Sequence, residues 1–132
     1  MLRCSGLHPD YALAGRSGTL RGMPRPTCSR CQRPLSHCLC PLIPVLESRT
    51  RVLILQHPSE VGHALNTARL AALGLRNAEL RVGEVFDDLP QLLAQSDYRV
   101  CLLFPGDEAV VLTGYVPKEK PLLLVVPDGT WR

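Results

Sequence analysis

Residues 51–74 read RVLILQHPSEVGHALNTARLAALG. Between Arg51 and Gln56 every side chain is Val, Leu or Ile, the texture of a short strand buried on both faces. The period then changes. Val61, Ala64, Leu65, Ala68, Ala71 and Ala72 recur at helical spacing, with Pro58–Ser59 as a start and Gly74 as a stop. Downstream, AELRVGEV (78–85) alternates like a strand and DLPQLLAQ (88–95) has the pattern of a short helix. RVCLLF (99–104) and PLLLVV (121–126) are two more apolar runs, whereas EAVVLTGY (108–115) fits neither period. Strands with near-continuous apolar character, alternating with helices, predict an α/β fold: a mostly parallel sheet with helices flanking both faces.

Sheets of this kind take ligands at the carboxyl ends of their strands. Here those ends are Gln56–His57–Pro58, Pro105–Gly106–Asp107 and Pro127–Asp128–Gly129–Thr130. Each combines turn formers with polar side chains, as a site assembled from several strand ends requires. Pro, Gly and Asp also end strands without any further role.

The chain of 132 residues is of single-domain size, with 45% hydrophobic and 20% charged residues. No apolar run approaches the roughly 18 residues that a membrane span needs, and the first residues lack the apolar stretch of a signal peptide. Residues 1–26, rich in Gly, Ser, Arg and Pro without periodicity, are expected to form a disordered leader. The α/β part is expected to run from residue 45 to residue 132, and the whole protein to be cytoplasmic, without a membrane partner. The net charge of +3 conceals an asymmetry, because residues 1–51 carry +6 and residues 52–132 carry −3. A basic segment on a mildly acidic body suits an anionic partner such as nucleic acid, and equally a solubilising tail.

Between the leader and the α/β part, residues 27–44 read TCSRCQRPLSHCLCPLIP. Cys28, Cys31, Cys38 and Cys40 fall within 13 residues, in a segment too broken by proline for a helix or long strand. Four thiolates suit tetrahedral zinc, which gives order to a short loop-rich segment with no core of its own. His37 could replace one thiolate, and thiol redox chemistry or an iron–sulfur cluster are the other readings. Arg25, Arg30 and Arg33 interleave with the cysteines, so a metal-held knuckle would also present positive charge. Cys4 and Cys101 stand outside the cluster, the first expected free and the second buried in its strand.

These motifs resemble, in order, those of the DTW-domain family: C-x2-C-x6-C-x-C, LILQHPSEVGHALNTARL, VGEVF, LLFPG and the signature Asp-x-Thr-Trp, here Asp128-Gly129-Thr130-Trp131. The resemblance covers residues 28–132. It implies a fold related to the SPOUT-type α/β methyltransferases and a tRNA-uridine aminocarboxypropyltransferase activity. Such enzymes move the 3-amino-3-carboxypropyl group of S-adenosylmethionine to N3 of a tRNA uridine and release methylthioadenosine. It assigns Asp128, Thr130 and Trp131 to the catalytic site. It assigns Gln56, His57, Pro58, Glu60, Asn66, Thr67, Arg69, Pro105 and Gly106 to cofactor or substrate binding, and the four cysteines to zinc. Asp128 is the natural general base for the weakly acidic N3, Trp131 an aromatic face for the sulfonium, and Arg69 a partner for a carboxylate or phosphate. The family's domain continues beyond the signature, so the resemblance also implies a C-terminally truncated chain that alone binds S-adenosylmethionine weakly and lacks turnover. The alternative is an inactive fragment acting as a zinc-dependent RNA-binding module. The oligomeric state stays open.

Overall fold

The computed structural model describes residues 25–94, 97–111 and 120–129. Most of the expected leader, and with it Cys4, lies outside the described residues, as do Thr130 and Trp131. The chain divides into two compact units, one ending at Leu42 and the other beginning at Ile43.

The second unit is the α/β part. It runs β1 (Arg51–Gln56), α1 (Thr67–Gly74), β2 (Ala78–Val82), α2 (Leu89–Ala94), β3 (Arg99–Leu102) and β4 (Leu122–Asp128). The strands form one sheet in the order β2-β1-β4-β3, and every pairing is parallel. β1 and β4 are the central pair, in register from Arg51 opposite Leu123 to Gln56 opposite Asp128. Leu53, Leu123 and Val125 are buried together on one face, where Leu89, Leu92 and Leu93 of α2 and Tyr98 pack against them. Ile54 and Gln56 alternate onto the opposite face and are buried as well, so β1 is covered on both sides as its composition requires. No helix among the described residues is long and apolar enough to cross a membrane.

The structure corrects several element boundaries. The helix expected from Pro58 begins at Thr67, because the Asn66 side chain accepts the N–H of Arg69 and fixes the start there. Pro58–Glu60 instead makes a single 3-10 turn, and Leu65, apolar by pattern, is exposed. β2 stops at Val82 rather than Val85. β3 stops at Leu102, leaving Leu103 and Phe104 exposed beyond it.

β4 continues through Pro127 to Asp128, although proline cannot donate to a ladder. The reason is local. Leu103 N–H donates to the Val125 carbonyl at 2.8 Å, so odd-numbered residues of β4 direct their backbone groups at β3. Pro127, two residues on, faces the place where β3 has ended, and no partner is missed.

Candidate active site and four-cysteine centre

β1 and β4 are neighbours in space and nearly the whole unit apart in sequence. Their carboxyl ends bring together Gln56, His57, Asp128 and Gly129. The in-register pair Gln56 and Asp128 puts two polar side chains on one face at the end of the central strands.

Gln56 is 1% exposed, the only buried polar side chain among the described residues. Burying an amide without partners costs about 1–3 kcal/mol, so its hydrogen bonds decide whether the site is stable. Its Nε2 donates to Asp128 Oδ2 at 2.7 Å and to Asn66 Oδ1 at 3.0 Å. A carboxylate only accepts, which fixes the Gln56 amide from one end. The other end is fixed by backbone, because Asn66 Oδ1 also accepts the Arg69 N–H at 3.1 Å while its Nδ2 donates to the Val61 carbonyl at 3.2 Å. Asn66 Nδ2 also donates to Gln56 Oε1 at 3.4 Å, so the two amides pair reciprocally, and the N-cap of α1, the buried amide and the half-buried Asp128 carboxylate form one hydrogen-bonded chain. Among the described residues, no hydrogen bond reaches Asp128 Oδ1.

Beside this chain, a cavity of about 360 Å³ opens at the strand ends. That volume lies in the range of small-molecule sites. β1 and the following turn contribute Leu55, His57 and Ser59. Gly83, Glu84 and Phe86 come from the loop after β2, and Pro127, Asp128 and Gly129 from the end of β4. The His57 N–H donates to the Asp128 carbonyl at 2.8 Å. Its ring Nδ1 accepts the Ser59 N–H at 3.2 Å and lies 2.7 Å from the Ser59 hydroxyl, which places the ring proton on Nε2. Nε2 stands 3.6 Å from Glu84 Oε1, beyond hydrogen-bond length. Gly83 packs closely under Phe86, since a Cβ there would come within 3.2 Å of the ring and force it to give.

The structure thus joins Gln56, His57, Asn66 and Asp128. Pro58 opens the 3-10 turn, Glu60 is half-buried in it, and Thr67 is the exposed first residue of α1. Arg69 contributes its backbone N–H to the polar chain, and its Nε is buried with no hydrogen-bond partner among the described residues. Pro105 and Gly106 sit on the exposed loop after β3 and do not line the cavity. Ser59, Gly83, Glu84 and Phe86 were not singled out individually from sequence. The signal available for the last three was the VGEVF block, which carries no periodicity after Val82.

The first unit holds the cysteines. Its only buried residues among those described are Cys28, Cys31 and Cys40, so thiols take the place of a hydrophobic core. The Cys28 N–H donates to the Arg33 carbonyl and the Gln32 N–H to the Cys28 carbonyl, both at 2.8 Å, closing a tight loop. Gln32 takes a φ of 56° to complete it, a left-handed conformation that glycine adopts more readily. The four sulfurs lie within 4.8 Å of one another. Cys28 and Cys40 are 3.6 Å apart and Cys31 and Cys38 are 3.8 Å apart, far beyond a disulfide bond. A tetrahedron with metal–sulfur bonds of about 2.3 Å has edges of about 3.8 Å, so the cluster is consistent with zinc. N–H groups of Cys31 and Arg30 hold the Cys28 thiol down to about 6. Burial opposes ionisation of Cys31, but the N–H groups of Arg33 and Leu39 leave it lowered too. His37, the substitute ligand considered above, is exposed and bonded to the Ser36 hydroxyl at 2.9 Å instead. Cys101 is half-buried rather than buried.

The sequence profile of the DTW domain matches residues 25–132. The chain is 33% identical to tRNA-uridine aminocarboxypropyltransferase 2 of Mus musculus, an alignment covering 96% of this chain and 49% of the relative. It is 33% identical to tRNA-uridine aminocarboxypropyltransferase 2 of Drosophila melanogaster, over 81% of this chain and 46% of that protein. It is 40% identical to tRNA-uridine aminocarboxypropyltransferase A of Arabidopsis thaliana, over 82% and 48%. The chain spans about half the length of the curated relatives it matches. No solved structure matches it.

Proposed function

The chain belongs to the DTW-domain family, and from that premise we propose that its strand-end site serves S-adenosylmethionine-dependent aminocarboxypropyl transfer to N3 of a tRNA uridine. The observation that carries this reading is the Gln56–Asp128 pair: a buried amide holding a carboxylate at the edge of a ligand-sized cavity, within the signature block of the family. When bound, S-adenosylmethionine supplies an electrophilic carbon next to a sulfonium. The protein must hold that carbon in line with N3 and accept the N3 proton.

In this reading Gln56 fixes one oxygen of Asp128, and Oδ1 is the atom that takes the proton. His57 keeps its ring oriented through Ser59 and presents an Nε2–H to the cavity. Thr130 and Trp131 follow Asp128 directly, and their assigned roles, orienting Asp128 or the amino acid moiety and covering the sulfonium, are part of the proposal. So are the binding roles of Pro58, Glu60, Thr67, Arg69, Pro105 and Gly106. In this reading zinc in the four-cysteine centre is structural, and the protein acts in the cytoplasm. The test is transfer of label from the aminocarboxypropyl group of S-adenosylmethionine to an unmodified tRNA transcript by the purified chain. Label in tRNA supports the reading, and RNA binding without label favours the second reading below.

The four-cysteine centre favours a second reading, RNA binding without turnover. Its thiol core is interleaved with Arg25, Arg30 and Arg33 and carries no acidic side chain between residues 25 and 42. That reading expects salt-sensitive RNA binding that a chelator abolishes.

A further inference from the structure

The lining of the cavity has a charge pattern of its own. Its charged residues, among those described, are Glu84 and Asp128, with the His57 imidazole between their elements, and neither arginine nor lysine lines it. Phe86 supplies an aromatic ring on the same loop as Glu84, and the ring packs closely over Gly83. Glu84 is largely exposed and lines the cavity, with its carboxylate 3.6 Å from His57 Nε2. An acidic rim beside an aromatic face is the surface that attracts a soft, poorly hydrated cation.

We propose that Glu84 and Phe86 are specificity-determining residues that make the cavity select a cationic sulfonium over the neutral thioether of the same shape. The inference rests on the cofactor reading above and adds a direction to it. In the transfer, N3 loses its proton to the base and its lone pair forms the N3–carbon bond. The carbon–sulfur bond breaks, and its electron pair stays on sulfur. The sulfonium thereby becomes methylthioadenosine, a neutral thioether. A rim that recognises the charge holds the substrate and loses its grip on the product in the same step. Release is then favoured by the electrostatics of residues 84 and 86.

The test compares dissociation constants of S-adenosylmethionine and S-adenosylhomocysteine, sulfonium and matched thioether, on the full chain by titration calorimetry or ligand-observed NMR. The wild-type chain is expected to favour the sulfonium by about tenfold, the scale of one carboxylate and one aromatic face at a partly exposed site. Glu84→Gln should bring that preference down to about twofold to threefold by weakening the sulfonium alone, and Phe86→Leu should lower it by about threefold. Glu84→Lys, at a position exposed enough to accept it, should invert the preference. Equal affinity for both ligands in the wild type overturns the inference, as does an equal loss of both in Glu84→Gln, and either result leaves the cofactor reading standing. Failure of both ligands to bind the wild-type chain overturns the cofactor reading and this inference with it.

Discussion

Replacing Gln56 by glutamate changes one atom of the buried chain from donor to acceptor, and its consequences can be worked from the geometry. The amide nitrogen that donates to Asp128 Oδ2 at 2.7 Å becomes a second carboxylate oxygen against the first. Two ionised carboxylates at about 3.5 Å in an effective dielectric near 20 repel by about 5 kcal/mol. Keeping one proton on the pair instead costs about 1.4 kcal/mol per pH unit above a normal Glu value of about 4.3, so about 4 kcal/mol at pH 7. Proton uptake is therefore the cheaper route near neutrality. The protonated side chain can still donate to Asp128, which preserves the fold.

The sign follows from linkage. The introduced carboxyl has its folded-state pKa raised, so stability is fully present below the unfolded value and is lost as pH rises through the folded one. Gln56→Glu should be near wild type at pH 4.5 and fall by about 1.4 kcal/mol per pH unit between about 5 and 7. Gln56→Ala, which introduces no titrating group, should instead cost about 3 kcal/mol with little dependence on pH, from the lost hydrogen bonds and the cavity left behind. Urea denaturation followed by far-ultraviolet circular dichroism at pH 5, 6 and 7 separates the two. A Gln56→Glu chain whose stability runs parallel to wild type across that range would refute the buried Gln56–Asp128 contact.

Cys28→Ser should lower bound zinc from about one per chain to near zero by atomic emission, and a chelator should remove it from the wild type. Gly83→Ala should displace the Phe86 ring and weaken ligand binding at the cavity while costing about 1–2 kcal/mol of stability, because the added Cβ has only 3.2 Å to the ring. Retained affinity by calorimetry would show that Phe86 does not shape the site. Arg81 first, and Arg51 with it, hold the Glu79 carboxyl below its ordinary value of 4.5. Glu79 thus contributes stability present above that value and lost as pH falls through its lower folded value. Glu79→Gln should lower stability modestly in the neutral region, the pair being partly exposed, and converge with wild type below about pH 4.5, so that its acid limb is flatter.

The fold was legible where burial is two-sided. RVLILQ and PLLLVV carry enough apolar density to be read as central strands, and they are the central pair. Their parallel partnership follows from the helices between them. Boundaries set by a single side chain were not legible. The helix begins at Thr67 because of one cap from Asn66, while the apolar pattern alone extends back to Val61. β4 passes through Pro127 because β3 ends opposite Val125, two residues earlier, a fact of register that composition cannot express.

At the site, Gln56, Asn66 and Asp128 were singled out through the motif blocks. Their function as one hydrogen-bonded chain depends on strand order, which brings residues 56 and 128 side by side across 72 positions of sequence. Glu84 and Phe86 escaped individual notice because a loop residue leaves no periodic trace. The four cysteines were the reverse case. Spacing alone put four thiols near one another, and the structure adds the sulfur–sulfur distances that suit a tetrahedron.

The most direct test is nucleoside mass spectrometry of tRNA from cells in which the gene for this chain is deleted, then restored as wild type or as Asp128→Asn. The expected result is that aminocarboxypropyluridine disappears on deletion and returns with the wild type. Asp128→Asn, which keeps the Gln56 contact at one oxygen but cannot accept the N3 proton, should fail to restore it. Full restoration by Asp128→Asn, or unchanged modification after deletion, would contradict the assignment of the strand-end site to this chemistry.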